Sequence, residues 1–511
     1  MKKYDFIVVG AGLAGLAAAA ELCSAGKKVL LIEQHNLPGG CSTSFVRGRF
    51  EFDPSLHELC GVGPENDPGE VRKMFDRYGI KIDWKCVDDC FRIISEFSDG
   101  TPMDITMPAG KREFMDKLDS CVPGYRDKIE NMFRLFDEVN DGLDYVSRPK
   151  YSLPKVMIKY TDLLKVGAKS TTQVFDALEL PQKIRDILAV YWTYLGVDLN
   201  SLSFPHYASM VSNYINRGAY IPAHTSHEIS VALTEKIREL GGTVLFNCRA
   251  WEFIFEGDRC SAVKTNLGTF ECGCVLANIN PDIIYGSMMD KKLVPEREKK
   301  LSAARNRNFG GRMFTCYLGL NKTAQELGIK DYSIFTASYS DSVKEYNSMR
   351  KIDTNKYSIF LCYNVANPGF SPEGTCVCSF TRMFTSPQDW EKMTPQEYFD
   401  TKTRIADEFI SQLLEKTGID LRPHIEEISV AGPWTFARYL NTPEGGVYGY
   451  ETRDWDGIMG RNMSIATDYP IKGLIPIGTS GPRGDGYSSA LYCGYQLAGI
   501  ALSKYGKGGN D

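Results

Sequence analysis

Three stretches of the 511-residue sequence predict an α/β protein in which a Rossmann-like dinucleotide-binding domain, built from discontinuous segments, is joined to an α+β substrate domain. Residues 6–33 read as strand, glycine turn, helix and strand. Residues 243–277 read as short strands separated by turn residues, and residues 473–498 repeat strand, glycine turn and helix far along the chain.

In the first stretch, residues 6–9 are an apolar run too short for a helix. Residues 13–25 are rich in Ala and Leu and stop at Gly26, and residues 29–32 are apolar and β-branched. Gly10, Gly12 and Gly15 have the spacing G-x-G-x-x-G, and Glu33 closes the second strand. Gly10 permits the tight turn, Gly12 lets backbone approach a pyrophosphate, and Gly15 allows close packing of helix on strand. The helix start offers free N–H groups and a positive dipole end to phosphate, and Glu33 can accept hydrogen bonds from an adenosine ribose. This stretch alone fits NAD and FAD equally. No second complete fingerprint follows, so one tightly held dinucleotide is expected.

A formal net charge of −5 and a pI near 5.9 provide no basic field, which argues against nucleic acid as a partner. The first strand begins within five residues of Met1 and no eighteen residues in a row are apolar. The expectation is a cytoplasmic protein without a spanning helix. Fifteen cysteines include no C-x-x-C, and the six histidines are scattered. The close pairs Cys86/Cys90, Cys272/Cys274 and Cys376/Cys378 fit reduced, buried thiols, and no metal site is expected.

Residues 37–45 carry a second pair, Gly39 and Gly40, which either brings backbone to the cofactor phosphates or simply makes a loop. A short alternating strand leads to Asp53-Pro54 and to His57, the histidine singled out here. Residues 64–217 turn to longer amphipathic segments, a mixed or largely helical insert. Within it, residues 153–188 set Val156, Met157, Ile158, Leu163, Leu164 and Val166 beside Lys155, Lys159, Lys165 and Lys169. Two readings fit: a face resting on a membrane surface, or a solvated helix over a buried stripe. The aromatic stretches at 191–195 and 203–220 either line an apolar cavity or belong to the core.

A helix at 227–240 ends at Gly241-Gly242 and leads into a strand at 243–247. Strands at 251–256, 261–265 and 269–271 form an antiparallel meander, and residues 275–277 return to the main sheet. Residues 291–429 are a second mixed region with strands at 357–363 and 375–380. The expected division is 1–63, 218–290 and 430–511 for the dinucleotide, and 64–217 with 291–429 for the substrate. In the last stretch residues 474–477 enter the sheet and Gly484, Asp485 and Gly486 bend the chain. Tyr487 and Ser488 then start a helix whose N–H groups face something electron-rich, such as the O2 edge of a flavin.

So ordered, the chain resembles the flavin-dependent amine-oxidoreductase superfamily, and within it the branch of phytoene desaturases, carotenoid cis-trans isomerases and retinol saturases. The likeness spans nearly all 511 residues. It implies that Gly10, Gly12, Gly15, Glu33, Gly39 and Gly40 bind FAD, that adenine-binding backbone lies near Ala250, and that residues 478–494 close the flavin site. The branch phrase F-D-x-G-x-H-x-x-G is matched by F-D-P-S-L-H-E-L-C-G, with Asp53 and His57 in step. P-x-G-x-x-Y-G is matched by Pro443, Gly445, Tyr448 and Gly449. The chain departs from the pattern at Ser55, at Asp485 and at residues 222–226.

The resemblance further implies hydride exchange at the flavin and a long, apolar, conjugated substrate beside it in a dry cavity. The function expected is saturation, desaturation or isomerisation of a polyene or isoprenoid-like lipid, with an electron donor or acceptor that the sequence does not identify. His57, Tyr448 and Asp485 are the candidate catalytic residues. His57 could instead hold a loop, Tyr448 wall the pocket and Asp485 cap a helix. Gly478, Gly486, Tyr487 and Ser488 complete the candidate cofactor contacts. The alternatives are an amine or small-molecule oxidase of the same superfamily and a non-catalytic prenyl-lipid escort of similar fold.

Overall fold

The computed structural model describes residues 3–147, 151–296, 298–300, 310–386, 388–452, 461, 471–479 and 486–506. Two seven-stranded sheets organise them. In the first, strands Thr243–Leu245, Val29–Ile32, Lys3–Val9, Gly268–Ala277 and Leu474–Pro476 lie side by side and parallel. Strands Ala250–Glu256 and Arg259–Thr265 join antiparallel through the meander. The sequence reading divides 269–277 into two short strands. The structure makes one ten-residue strand, Gly268–Ala277, whose first part pairs with the meander and whose last three residues pair with Leu474–Pro476.

The first strand is buried at Phe6, Ile7, Val8 and Val9, consistent with a parallel strand covered on both faces. Helix Leu13–Ser24 is buried all round except at Ser24, because it is sandwiched between the sheet, helix His227–Glu239 and the final helix Tyr487–Tyr505. Its one buried acid, Glu21, is held by Arg77 at 3.0 Å and by Tyr78 Oη at 2.9 Å.

The second sheet runs Ile425–Ala431, Arg312–Leu320, Cys376–Phe384, Ser358–Cys362, Ser333–Thr336, Asp89–Glu96 and Pro102–Pro108. Its last two strands come from the region where the sequence marks only amphipathic segments. There, Phe91 and Ile93 pack into the main core and Ile94 into the core on the sheet's other side. The register sets Cys362 opposite Cys378, and the sulfurs of Cys362, Cys376 and Cys378 lie within 4.8 Å of one another. All three thiols are buried among Leu320, Ile334 and Phe360, and the fifteen cysteines are all free. No helix among the described residues is long and apolar enough to cross a membrane.

Candidate active site

The parallel strands of the first sheet end at one cavity of about 650 Å³, lined by Val9, Ile32, Asn278 and Ile477 at their carboxyl ends. That is where ligands bind in open α/β sheets. Gly10 takes φ +95°, and a Cβ on it would lie 2.7 Å from the carbonyl oxygen of Asn278. A Cβ on Gly12 would lie 2.7 Å from Asn278 Nδ2, and one on Gly478 would overlap Asn278 Oδ1. Asn278 therefore knits the first turn to the closing turn, with its own N–H on the Val9 carbonyl at 2.8 Å. The sequence offers no sign of this role.

Gly15 does not line the cavity. It sits in the seam of helix and strand, where a Cβ would overlap the Gly10 carbonyl oxygen. Gly39 donates its N–H to the Ala11 carbonyl at 2.8 Å, so the two glycine turns are joined. Glu33 accepts from Ala11 N at 2.7 Å and from His35 N at 2.8 Å, while its carbonyl takes Cys248 N at 2.8 Å. Gly10, Gly12, Glu33, Gly39, Gly40 and Ala250 all line the cavity, as do Gly478, Gly486, Tyr487 and Ser488.

The first and final helices both begin on this cavity at a glycine, Gly12 and Gly486, with no side-chain cap on their N-termini. Tyr487 Oη donates to the Cys41 carbonyl at 2.9 Å and lies 2.9 Å from Ser55 Oγ, while Ser488 Oγ donates to the Cys60 carbonyl at 2.5 Å. The departure at Ser55 thus has a defined role, fastening the loop to the final helix.

His57 lies at the cavity wall with Nδ1 3.3 Å from Tyr194 Oη and Nε2 3.3 Å from Thr381 Oγ1. Burial pulls its pKa down to about 4, so the imidazole is neutral at pH 7. Tyr448 also lines the cavity, wedged where Cβ atoms on Gly196, Gly310 or Gly311 would lie 2.9 to 3.3 Å from it. Asp485 lies outside the described residues. The aromatic stretches divide: Tyr194, Leu195, His206, Met210 and Tyr214 reach the cavity, whereas Trp192 and Tyr207 pack in the core.

Asp53 does not line the cavity but holds the backbone around Ser55, which does. Oδ1 accepts from Ser55 N at 3.1 Å and Leu56 N at 2.8 Å, and Oδ2 from Ser226 N at 2.6 Å. Glu58, which the sequence reading passes over, does line it. Burial pushes the Glu58 carboxyl from its ordinary 4.5 up to about 8, although a hydrogen bond from Tyr194 acts in the other direction. The raised value fixes the sign of a stability effect: the neutral acid is favoured in the fold, and that contribution is lost as pH climbs from about 4.5 through about 8. Glu58→Gln stays neutral throughout. Its stability relative to wild type is expected to rise by a few kcal/mol across that window, at about 1.4 kcal/mol per unit of pKa shift. Denaturant unfolding at acid and alkaline pH measures this, and a constant difference between the proteins would contradict it.

Sheet, paired uncapped helices and a glycine-lined cavity define the class as a Rossmann-like dinucleotide-binding protein. The NAD(P)-binding Rossmann-like domain family matches residues 8–78. The chain is 25% identical to all-trans-retinol 13,14-reductase of Danio rerio over 99% of this chain and 89% of that protein. It is 22% identical to prolycopene isomerase 2, chloroplastic, of an Oncidium hybrid cultivar, over 97% of this chain and 83% of that one. Cyclohexylamine oxidase from Brevibacterium oxydans superposes with a TM-score of 0.63 at 14% identity, covering 99% of this chain and 100% of the other, a likeness of fold. More particularly, then, the chain resembles the retinol saturase and carotenoid isomerase branch of the flavin amine-oxidoreductase superfamily along nearly its whole length.

Proposed function

We propose that this chain is an FAD-dependent enzyme that saturates, desaturates or isomerises a carbon–carbon double bond of an apolar polyene or isoprenoid-like lipid. One observation carries the reading: the same cavity is lined by Glu33, Ala250, Gly12 and Gly478 and by Leu195, Met210, Tyr214, Met313, Phe436 and Tyr448. The first group suits a dinucleotide and the second an apolar substrate.

Gly10, Gly12, Gly39 and Gly40 would hold the pyrophosphate with the N–H groups at the start of helix Leu13–Ser24. Glu33 would hold the ribose, Ala250 the adenine, and Gly478, Gly486, Tyr487 and Ser488 the isoalloxazine end. Only glycine fits at Gly12, where a Cβ would lie 2.7 Å from Asn278 Nδ2, and it leaves the turn's backbone on the cavity for the cofactor to approach. When bound, FAD supplies hydride exchange at N5. Tyr448 and Tyr214 orient the substrate and Met210, Met313 and Phe436 keep water away from it, while His57 serves as a neutral hydrogen-bonding group. The segments 1–63, 218–290 and 430–511 belong to the cofactor part in this reading, and 64–217 with 291–429 to the substrate part.

Purified protein should carry a visible flavin spectrum. With the flavin reduced chemically under anaerobic conditions, conjugated polyenes are expected to reoxidise it or to change isomer, as product mass and absorption will report. Reactivity confined to amines would replace this reading with an amine oxidase, and protein that takes up no FAD would point to the lipid escort.

The substrate's insolubility also asks for contact with lipid. Helix Leu153–Lys159 exposes Met157 at 67% and Ile158 at 81%, flanked by exposed Lys155, Lys159, Lys165 and Lys169. Apolar residues ringed by cations suit the surface of an anionic bilayer. Met157→Glu with Ile158→Glu is expected to lower binding to phosphatidylserine vesicles at least tenfold, roughly the effect of losing two buried apolar side chains and adding two charges. Unchanged co-sedimentation would remove the membrane contact.

A further inference from the structure

Two buried acids sit within five residues of each other and are treated differently by the fold. Asp53 has both oxygens occupied by backbone N–H groups. Glu58 is 6% exposed and has only its Oε1 engaged, at 2.9 Å from Tyr194 Oη. Glu58 Oε2 is buried and meets no hydrogen-bond partner among the described residues. The titratable groups that feel Glu58 are Cys60, Cys90, Tyr191, Tyr194, Tyr214, Tyr332 and Tyr363, with neutral His57 adjacent in sequence; no cation figures among the causes of its shift. A carboxylate here would be an uncompensated buried charge with a free oxygen, whereas a carboxylic acid is tolerated.

Tyr194 extends this contact. Its Oη is 3.3 Å from His57 Nδ1, His57 Nε2 is 3.3 Å from Thr381 Oγ1, and Thr381 Oγ1 is 3.4 Å from Thr315 Oγ1. Glu58, Tyr194, His57, Thr381 and Thr315 all line the cavity. With its proton on Oε1, Glu58 can donate along the 2.9 Å contact to Tyr194, which leaves the Tyr194 O–H free to turn into the cavity.

We propose that Glu58 and Tyr194 form the proton source of this site, Tyr194 delivering a proton to a substrate carbon and Glu58 restoring it, so that the reaction is a reduction of the double bond. The inference rests on the polyene reading above and gives it a direction. The π bond opens, one carbon takes a hydride supplied by reduced flavin, and its neighbour takes the Tyr194 proton. The flavin is thereby oxidised by two electrons. The Tyr194 phenolate recovers a proton from the Glu58 carboxyl, and water reprotonates Glu58 once product has left. Tyr194 is the catalytic residue of the pair and Glu58 acts through it.

The test uses flavin-loaded protein. In the infrared, protein labelled with ¹³C-glutamate should show a protonated carboxyl band at neutral pH that Glu58→Gln abolishes. In an anaerobic single turnover with a conjugated polyene, wild type should give a product two hydrogens heavier in H₂O and, in D₂O, one carrying two solvent deuteriums, because the N5 hydrogen of reduced flavin and the Tyr194 proton both exchange with solvent. Glu58→Gln and Tyr194→Phe should keep the flavin spectrum but slow its reoxidation about 100-fold, the scale of a lost general acid, and Glu58→Asp should recover part of the rate. An ionised Glu58 at neutral pH, wild-type rates in both variants, or a product of unchanged mass would overturn the proposal. Failure of wild type with every polyene would instead sink the substrate reading, and the infrared band would still decide whether Glu58 stores a proton.

Discussion

Replacing Gly15 by valine is expected to give protein that carries no flavin and unfolds several degrees below wild type. A Cβ at this position would overlap the Gly10 carbonyl oxygen, and would lie 3.1 Å from the Gly10 carbonyl carbon and 3.4 Å from Val8 Cγ1. Neither neighbour can yield, because Gly10 N is bonded to the Ile32 carbonyl at 2.8 Å and the first strand is paired along both edges. The helix must therefore lift off the strand, taking Gly12 and the uncapped N–H groups away from the cavity. Overpacking of this kind costs about 1–3 kcal/mol, and the displaced helix start adds loss of affinity. The ratio of flavin to protein absorbance, with a thermal melt, checks both effects. A full flavin complement in the variant would contradict the geometry.

Asp53→Ala is expected to destabilise the protein by about 3 kcal/mol or more, since three backbone N–H groups, buried at Leu56 and Ser226 and half-buried at Ser55, would lose their acceptor. Asp53→Asn keeps a carbonyl oxygen for Ser55 and Leu56 and should lose clearly less. Urea unfolding of the two variants compares them. Equal losses would mean that the carboxyl's hydrogen bonds are not what holds residues 53–58 against the start of helix His227–Glu239.

The legible parts of this protein are those whose pattern is local. Strand, turn, helix and strand between residues 3 and 33 follow from periodicity and from three glycines, as does the start of the final helix at Tyr487. The second sheet is harder to read because Asp89–Glu96 pairs with Ser333–Thr336, more than two hundred residues away, and no local signal carries such a register. The same separation hides the cavity's polar groups. Tyr194 looks like one more aromatic in a buried run until the fold sets it 2.9 Å from Glu58, and Glu58 looks like a loop acid beside a more conspicuous histidine. Asn278 is an ordinary residue after a strand until Gly10, Gly12 and Gly478 close round it.

The parallel sheet has a further consequence, for biosynthesis. Leu474–Pro476 is the last strand among the described residues, yet it pairs directly with Gly268–Ala277, and helix Tyr487–Tyr505 packs on helix Leu13–Ser24. The cradle around Asn278 and the Tyr487 contacts with Cys41 and Ser55 thus cannot exist while the ribosome is still translating the middle of the chain. Such distant pairings are slow to form, and until they do the early strands and helix Leu13–Ser24 hold apolar surface with nothing to cover it. A ligand that binds only the completed arrangement favours it by mass action. FAD supply should therefore govern how much of this protein survives synthesis as well as how much of it is active.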